Sequence, residues 1–302
     1  MIVLITGANG FIGSALTALL VKKGYTVHYL TTSLKKIKNT ANYKGFLWKP
    51  FSNEIDLRCF DGVEVIVNLA GHSINCKWNK RNKDLIKNSR LQVSNTLFNA
   101  LQQIDHRVKH IISASAIGIY PSNATINYTE DYTVETFDFL SDVCYHWEKA
   151  NKRFETIGIT STITRFGLIL SKDEGVLHEL AKIVSLGLGA CLGNGKQGMS
   201  WIHYEDVIRI IDHLIEKQIA GVFNVVASNP TSQKQFLICL AKQLRKPLIF
   251  PNIPSFLIRL ILGERAVLVL SNQWISNQKI ENTGYQFKYK TLEDTLKDLY
   301  NS

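Results

Sequence analysis

Thr6-Gly7-Ala8-Asn9-Gly10-Phe11-Ile12-Gly13 is the stretch that decides the fold. Ile2 to Thr6 leads into it as a short, mostly β-branched apolar run, the pattern of a strand covered on both faces. Phe11, Ile12, Ala15, Leu16, Leu19 and Leu20 follow at helical spacing. One glycine lets the chain leave the strand, a second lets a pyrophosphate approach the backbone, and a third lets the helix pack closely on the strand. The helix N-terminus adds N–H groups and a partial positive charge. This order of strand, turn and helix makes Gly7, Asn9, Gly10, Phe11, Ile12 and Gly13 the candidate dinucleotide-binding residues.

The helix ends at Gly24-Tyr25, and Tyr25 to Thr31 reads as a second strand. Further strands are expected at Val63 to Leu69, His110 to Ala114 and Thr160 to Leu170, with a helix over Asn82 to Gln103. That alternation predicts an α/β fold with a doubly wound parallel sheet. After Leu170 the pattern changes. Gly187 to Gly198 carries five glycines in twelve residues, and mostly helical stretches then surround a short strand at Val222 to Ala227. The expected organisation is a nucleotide-binding domain over 1–170, to which 200–228 returns, and a smaller, mostly helical C-terminal lobe over 171–302. Such a lobe would lie over the carboxyl edge of the sheet and form a substrate cleft.

The choice of dinucleotide depends on the end of the second strand, where an acid about 20 residues on would hold an NAD ribose. This chain has Leu30-Thr31-Thr32-Ser33-Leu34-Lys35-Lys36 there, hydroxyls followed by lysines and no carboxylate. Thr31, Thr32, Ser33 and Lys35 suit a 2′-phosphate, which favours NADP(H) over NAD.

The 302 residues are 45% hydrophobic and 20% charged, a balance that supports a sizeable core and excludes disorder. Thirty-five Lys and Arg against 25 Asp and Glu leave a net charge of +10. The lysines are scattered and accompany no recognition motif, so no nucleic-acid partner is expected. Five dispersed cysteines without a C-x-x-C pair encode neither a disulfide framework nor a zinc site, and no metal is expected. Arg259, Glu264 and Arg265 interrupt the apolar stretch Ile253 to Leu270, which reads as a pair of buried helices rather than a membrane span. With no signal-peptide pattern at Met1 to Ile5, the expected location is the cytoplasm, with no membrane partner.

The G-x-x-G-x-x-G spacing, Asn68-Leu69-Ala70-Gly71 and Ser113-Ala114-Ser115-Ala116 resemble the extended short-chain dehydrogenase/reductases. Lys77-Trp78, Ser89-Arg90, Trp147-Glu148 and Arg165-Phe166-Gly167 are similar to one branch, the epimerase-like NADP-binding family whose C-terminal domain has no assigned function. So is the block from Gly187-Leu188-Gly189 through Gly193-Asn194-Gly195-Lys196-Gln197 to Ser200-Trp201-Ile202-His203-Tyr204-Glu205-Asp206. Phe223-Asn224-Val225, Gly263-Glu264 and Gly284-Tyr285-Gln286-Phe287 extend the resemblance almost to the C-terminus. The chain departs from the branch at Thr32, where an arginine is usual. The resemblance implies that Leu69, Ala70 and Gly71 run beside the adenosine and ribose, and that Arg90 reaches the cofactor. It implies a cofactor or substrate-anion contact for Arg165, with a salt bridge as the alternative for each arginine. Asp206 reads as a helix cap, His203 as a packed side chain and Trp201 as a cleft wall.

Hydride-transferring members of that class use a Tyr as acid/base, a Lys one turn later to lower its pKa, and a Ser to orient the substrate. Tyr145-His146-Trp147-Glu148-Lys149 offers the Y-x-x-x-K pattern, and Ser115 offers the serine. A second register stays open. Only sixteen positions run from Lys149 to Arg165, fewer than the extended relatives have. Aligning Glu148 with the acid that follows their lysine puts Leu140 and Cys144 in the Tyr and Lys places, with Tyr145 turned roughly 140° away around the helix. Tyr120 and Cys144 are then alternatives for the chemistry, and Gln197 joins Trp201 as a substrate-cleft residue.

The expectation is an NADP(H)-dependent oxidoreductase or epimerase acting on a small polar substrate, a nucleotide-sugar among the candidates. The alternative is a non-catalytic NADP-binding sensor or scaffold. A homodimer is compatible with either.

Overall fold

The first six strands are β1 (Ile2–Thr6), β2 (Thr26–Thr31), β3 (Tyr43–Lys49), β4 (Val63–Asn68), β5 (His110–Ala116) and β6 (Thr160–Phe166), and all but β3 fall where the sequence pattern expects a strand. The computed structural model describes residues 1–301. Later in the chain come β7 (Leu168–Leu170), β8 (Trp201–His203) and β9 (Gly221–Val225). The main sheet runs β3-β2-β1-β4-β5-β6-β9. β1 pairs in parallel with both β2 and β4, so the strand order reverses beside it. Open α/β sheets bind ligands beyond the carboxyl ends of the strands at such a switch point. The chain therefore has the doubly wound, Rossmann-like α/β fold.

The helices are α1 (Phe11–Lys22), α2 (Lys80–Leu101), α3 (Phe139–Lys152), α4 (Gly175–Ser185), α5 (Tyr204–Lys217), α6 (Gln233–Gln243), α7 (Ser255–Leu262), α8 (Val267–Leu270), α9 (Gln278–Glu281) and α10 (Leu292–Asn301). Local chemistry sets where α2 and α3 begin. The Asn79 side chain accepts from the Asn82 amide at 2.9 Å, and Asp138 and Ser141 form a reciprocal capping box with bonds of 2.8 and 2.9 Å.

Two compact units emerge, each threaded from several segments. The first takes 1–119, 135–165 and 208–223, and the second takes 120–134, 166–207 and 224–301. Residues 120–134, which the sequence pattern places with the nucleotide-binding domain, therefore cluster with the second unit. Leu4, Leu30, Trp48, Ile66, Leu97, Phe98, Ile111 and Phe154 fill the first core. Leu170, Leu177, Trp201, Phe236, Leu240 and Leu296 fill the second.

Three local differences from the sequence reading have physical causes. The Thr160 to Leu170 run is two strands, because Gly167 donates to the Val225 carbonyl while Leu168 already bonds Ser200 on a new partner. A Cβ on Gly167 would lie 2.4 Å from the Ser200 carbonyl oxygen, so only glycine permits that change. β3 escapes the pattern because Lys44, Gly45 and Lys49 dilute its apolar character. The Ile253 to Leu270 stretch does form two helices, but α7 is not buried: Leu260 is 79% exposed and Ile258 alone in that helix is buried. Among the described residues no helix is long and apolar enough to cross a membrane.

Candidate cofactor and active site

The turn after β1 is built to keep backbone bare. Gly7 has φ +72°, where side chains are strained, and a Cβ there would approach Leu69 and Ala70 backbone atoms at 3.1 Å. A Cβ on Gly13 would sit 2.2 Å from the Gly7 carbonyl oxygen, so any side chain at Gly13 pushes α1 off the strand. Asn9 and Gly10 are exposed at the turn, and Phe11, Ile12 and Gly13 open α1, where the first-turn amides lie at the positive end of the helix.

Leu69 and Ala70 are held in place by a residue whose role the sequence pattern does not announce. The buried Thr6 hydroxyl donates to Asn68 Oδ1 at 2.7 Å and accepts from the Leu69 and Ala70 amides at 3.1 Å each. Asn68 donates in turn to Asn151 at 3.3 Å, and Ser94 donates to the same Asn151 oxygen at 3.0 Å. A buried polar network this fully satisfied holds one geometry. Beyond it, the Arg90 guanidinium lies over the Trp147 ring at 4.9 Å, and Nη1 donates to the carbonyls of His72 and Ile86 at 3.0 and 2.8 Å. A Cβ on Gly71 would come within 3.2 Å of that guanidinium carbon. Its Nε and Nη2 make no hydrogen bond among the described residues, so Arg90 keeps donors beside the Leu69-Ala70-Gly71 path. The bare glycine backbone, the helix end and this arginine fit a dinucleotide.

At the end of β2, Thr31 is buried and its Oγ1 accepts from the Ser33 amide at 3.3 Å. Thr32, Lys35 and Lys36 are exposed, the lysines on a single 3₁₀ turn over Leu34–Lys36.

The proposed catalytic residues separate in space. Ser115, at the end of β5, donates to Glu148 Oε1 at 2.7 Å. Arg165, at the end of β6, donates to both carboxylate oxygens of Glu148 at 2.9 Å each. Glu148 is 6% and Arg165 3% exposed. The guanidinium is thus engaged in a buried bidentate ion pair, the salt-bridge alternative for Arg165. Tyr145 and Lys149 are not brought to Ser115. Both are exposed on α3, Tyr145 at 38%, whereas Cys144 and Glu148 on the same helix are buried. The position one turn before Cys144 holds Leu140, against which Gly118 packs. Burial, reinforced by the Glu148 charge, pushes the Cys144 thiol up to about 12, so at neutral pH it keeps its proton and is neither nucleophile nor base. Glu148 is the residue whose role sequence reasoning missed. An acid on the buried face of α3 and an arginine at a strand end were the available signal.

The remaining candidates lie in the second unit and serve structure. Tyr120 donates to Asn224 Oδ1 at 2.8 Å and stacks on Tyr128 at 5.1 Å. Gln197 donates to the carbonyls of Leu192 and Val269 at 3.0 and 3.3 Å, tying loops together rather than presenting its amide. Trp201 is fully buried in the second core, not a cleft wall. His203 is packed as expected, stacked on Tyr289 at 3.8 Å, and burial lowers its pKa. Asp206, expected as a helix cap, lies within the first turn of α5, and its carboxylate instead accepts from the Tyr285 hydroxyl at 2.7 Å and from the Lys288 and Tyr289 amides at 2.9 and 3.0 Å. Among the described residues no cluster of three or more His, Cys, Asp or Glu could hold a metal ion.

A parallel sheet of this order with a glycine-bare turn at its switch point defines a dinucleotide-binding α/β protein, and comparison narrows the class. Residues 3–226 match the NAD dependent epimerase/dehydratase family, and residues 253–299 match a domain of unknown function (DUF1731). The chain belongs to that epimerase/dehydratase family, within the extended short-chain dehydrogenase/reductases. It is similar to the epimerase family protein SSP1921 of Staphylococcus saprophyticus, 36% identical over 298 residues that cover 98% of both chains. It is also similar to the human epimerase family protein SDR39U1 (isoform2), solved with NADPH. There the identity is 28% and the TM-score 0.86, over 100% of this chain and 99% of that one. A nucleoside-diphosphate sugar epimerase from Corynebacterium glutamicum is 27% identical with a TM-score of 0.79, over 99% of this chain and 58% of that one.

Proposed function

We propose that the protein binds NADP(H) and acts as an oxidoreductase or epimerase on a small polar substrate, with a nucleotide-sugar as the leading class. The observation that carries this reading is the pairing of a glycine-bare phosphate turn with a carboxylate-free, lysine-bearing end of β2. The NADPH in the human relative's structure and the sugar-nucleotide name of the Corynebacterium relative point the same way. When bound, the nicotinamide supplies a hydride acceptor or donor.

The chain's own groups do the rest. First-turn amides of α1 hold the pyrophosphate, Arg90 adds charge beside Gly71, and Lys35 with Lys36 meets the 2′-phosphate. Ser115 Oγ spends its proton on Glu148, which leaves its lone pairs to accept from a substrate hydroxyl and so orient the carbon that exchanges hydride. Glu148 and Arg165 are positioning residues that fix the Ser115 rotamer. Exposed Tyr145 and Lys149 take no part.

A second reading, a non-catalytic NADP sensor, is favoured by one observation: the α3 face that would carry the Tyr and Lys holds Leu140 and Cys144. Absorbance at the reduced-nicotinamide band across a panel of nucleotide-sugars and small carbonyl compounds separates the two. Turnover of a panel member that Ser115→Ala slows at least tenfold supports the enzyme. No NADPH oxidation, NADP reduction or epimer formation with any member favours the sensor.

A further inference from the structure

β2 and β3 contain an arrangement that the nucleotide turn does not explain. Tyr29 and Gly45 are register partners across the parallel β2–β3 pair. A Cβ on Gly45 would lie 2.4 Å from both the ring carbon Cζ and the hydroxyl oxygen of Tyr29. The missing side chain on β3 therefore makes the space that the Tyr29 ring occupies. Tyr43, two residues earlier on β3, stacks on that ring with centroids 4.2 Å apart and planes 11° apart. Glycine weakens a strand interior, so its presence here marks a close approach rather than a strand requirement.

The phenol so placed reaches the chain that leaves β2. Its oxygen accepts from the Lys38 amide at 2.6 Å and donates to the Lys36 carbonyl at 2.8 Å, with the Lys38 carbonyl at 3.2 Å as alternative acceptor. Tyr29 itself is fully buried. The segment it grips carries Lys35, Lys36 and Lys38, all exposed, and no acid between Thr31 and Lys38. In this fold that segment begins where the adenosine ribose is read. Two lysines on flexible stems lack the planar fork with which an arginine grips a phosphate, and gain most from a backbone fixed in advance.

We propose that Tyr29, seated in the gap left by Gly45, is a specificity-determining positioning residue that holds Lys35 and Lys36 for the 2′-phosphate of NADP(H). It touches no cofactor atom. The inference rests on the NADP(H) reading above and assigns that preference to a side chain on the strand rather than to a fork at Thr32.

The test is calorimetric titration of the intact protein with NADP and, separately, NAD, which differ only in the 2′-phosphate. Tyr29→Phe keeps the ring and its stacking on Tyr43 and removes the phenol's bonds to the loop together with its hydroxyl contact to Tyr43. It is expected to weaken NADP about 5- to 10-fold while NAD changes less than about twofold, the scale of losing one or two hydrogen bonds. In a Lys35→Ala/Lys36→Ala background, Tyr29→Phe is expected to add less than about twofold for NADP, since the lysines it positions are gone. A wild-type protein that binds both dinucleotides equally overturns this inference together with the NADP(H) reading. A wild type that prefers NADP, with an unchanged NADP-to-NAD ratio in Tyr29→Phe, overturns the Tyr29 assignment alone. So does a full Tyr29→Phe effect in the lysine-free background.

Discussion

Replacing Arg165 with leucine should be among the most damaging single changes in the first unit. Arg165 and Glu148 are both almost completely buried, and among the described residues the guanidinium supplies two of the three hydrogen bonds that Glu148 accepts. Arg165→Leu removes those two and leaves a buried carboxylate that still accepts from the Ser115 hydroxyl. Stranding a buried charge in this way costs about 3–5 kcal/mol, far more than the net worth of the pair itself. At roughly 2–4 °C per kcal/mol for a unit of this size, the midpoint of thermal unfolding should fall by about 10 °C. Glu148→Leu together with Arg165→Leu buries no charge and should recover at least half of that loss. Circular dichroism melts of wild type, single and double variants measure both effects. A single variant within about 1 kcal/mol of wild type, or a double variant worse than Arg165→Leu, would show that no buried charge is stranded.

Tyr145→Phe should leave cofactor binding and any turnover within about twofold, because the phenol is exposed on α3 away from Ser115; a tenfold loss of turnover would restore the Y-x-x-x-K assignment. The pH dependence of stability should show His110. Burial pulls its imidazole from 6.5 to about 4, so below 6.5 the unfolded chain takes up a proton that the folded chain refuses. Stability should therefore fall as pH drops from 6.5 towards 4, by about 3 kcal/mol in all from this group. Urea unfolding across that range checks it, with His110→Gln expected to flatten the slope and an unchanged slope contradicting it.

The nucleotide-binding half was legible because its signals are local. Ile2 to Thr6, the three glycines and the Phe11 helix occupy one continuous stretch, and the structure places β1 and α1 where that stretch puts them. What was not legible depends on distant partners. β3 reads poorly as a strand because Gly45 answers Tyr29, sixteen positions earlier and one strand over. Glu148 looks like a helix-surface acid until α3 turns it toward Ser115 and Arg165, 33 and 17 positions away. Thr6 and Asn68 are recognisable in motifs, yet their joint task of fixing Leu69 and Ala70 exists only once β1 and β4 are neighbours. Trp201 and Gln197 fail as cleft residues for the same reason: a large aromatic and a polar amide after a glycine-rich loop serve packing and loop anchoring equally well. α7 shows the opposite error, since apolar periodicity does not say whether a helix finds a face to cover.

A preference for the phosphorylated dinucleotide is measured by paired dissociation constants for NADPH and NADH at fixed ionic strength. Quenching of the five tryptophans, or nicotinamide fluorescence, gives both values in one buffer. NADPH should bind tighter by about tenfold or more, with the gap narrowing as salt screens Lys35 and Lys36. Equal constants, or NADH the tighter ligand, would contradict it.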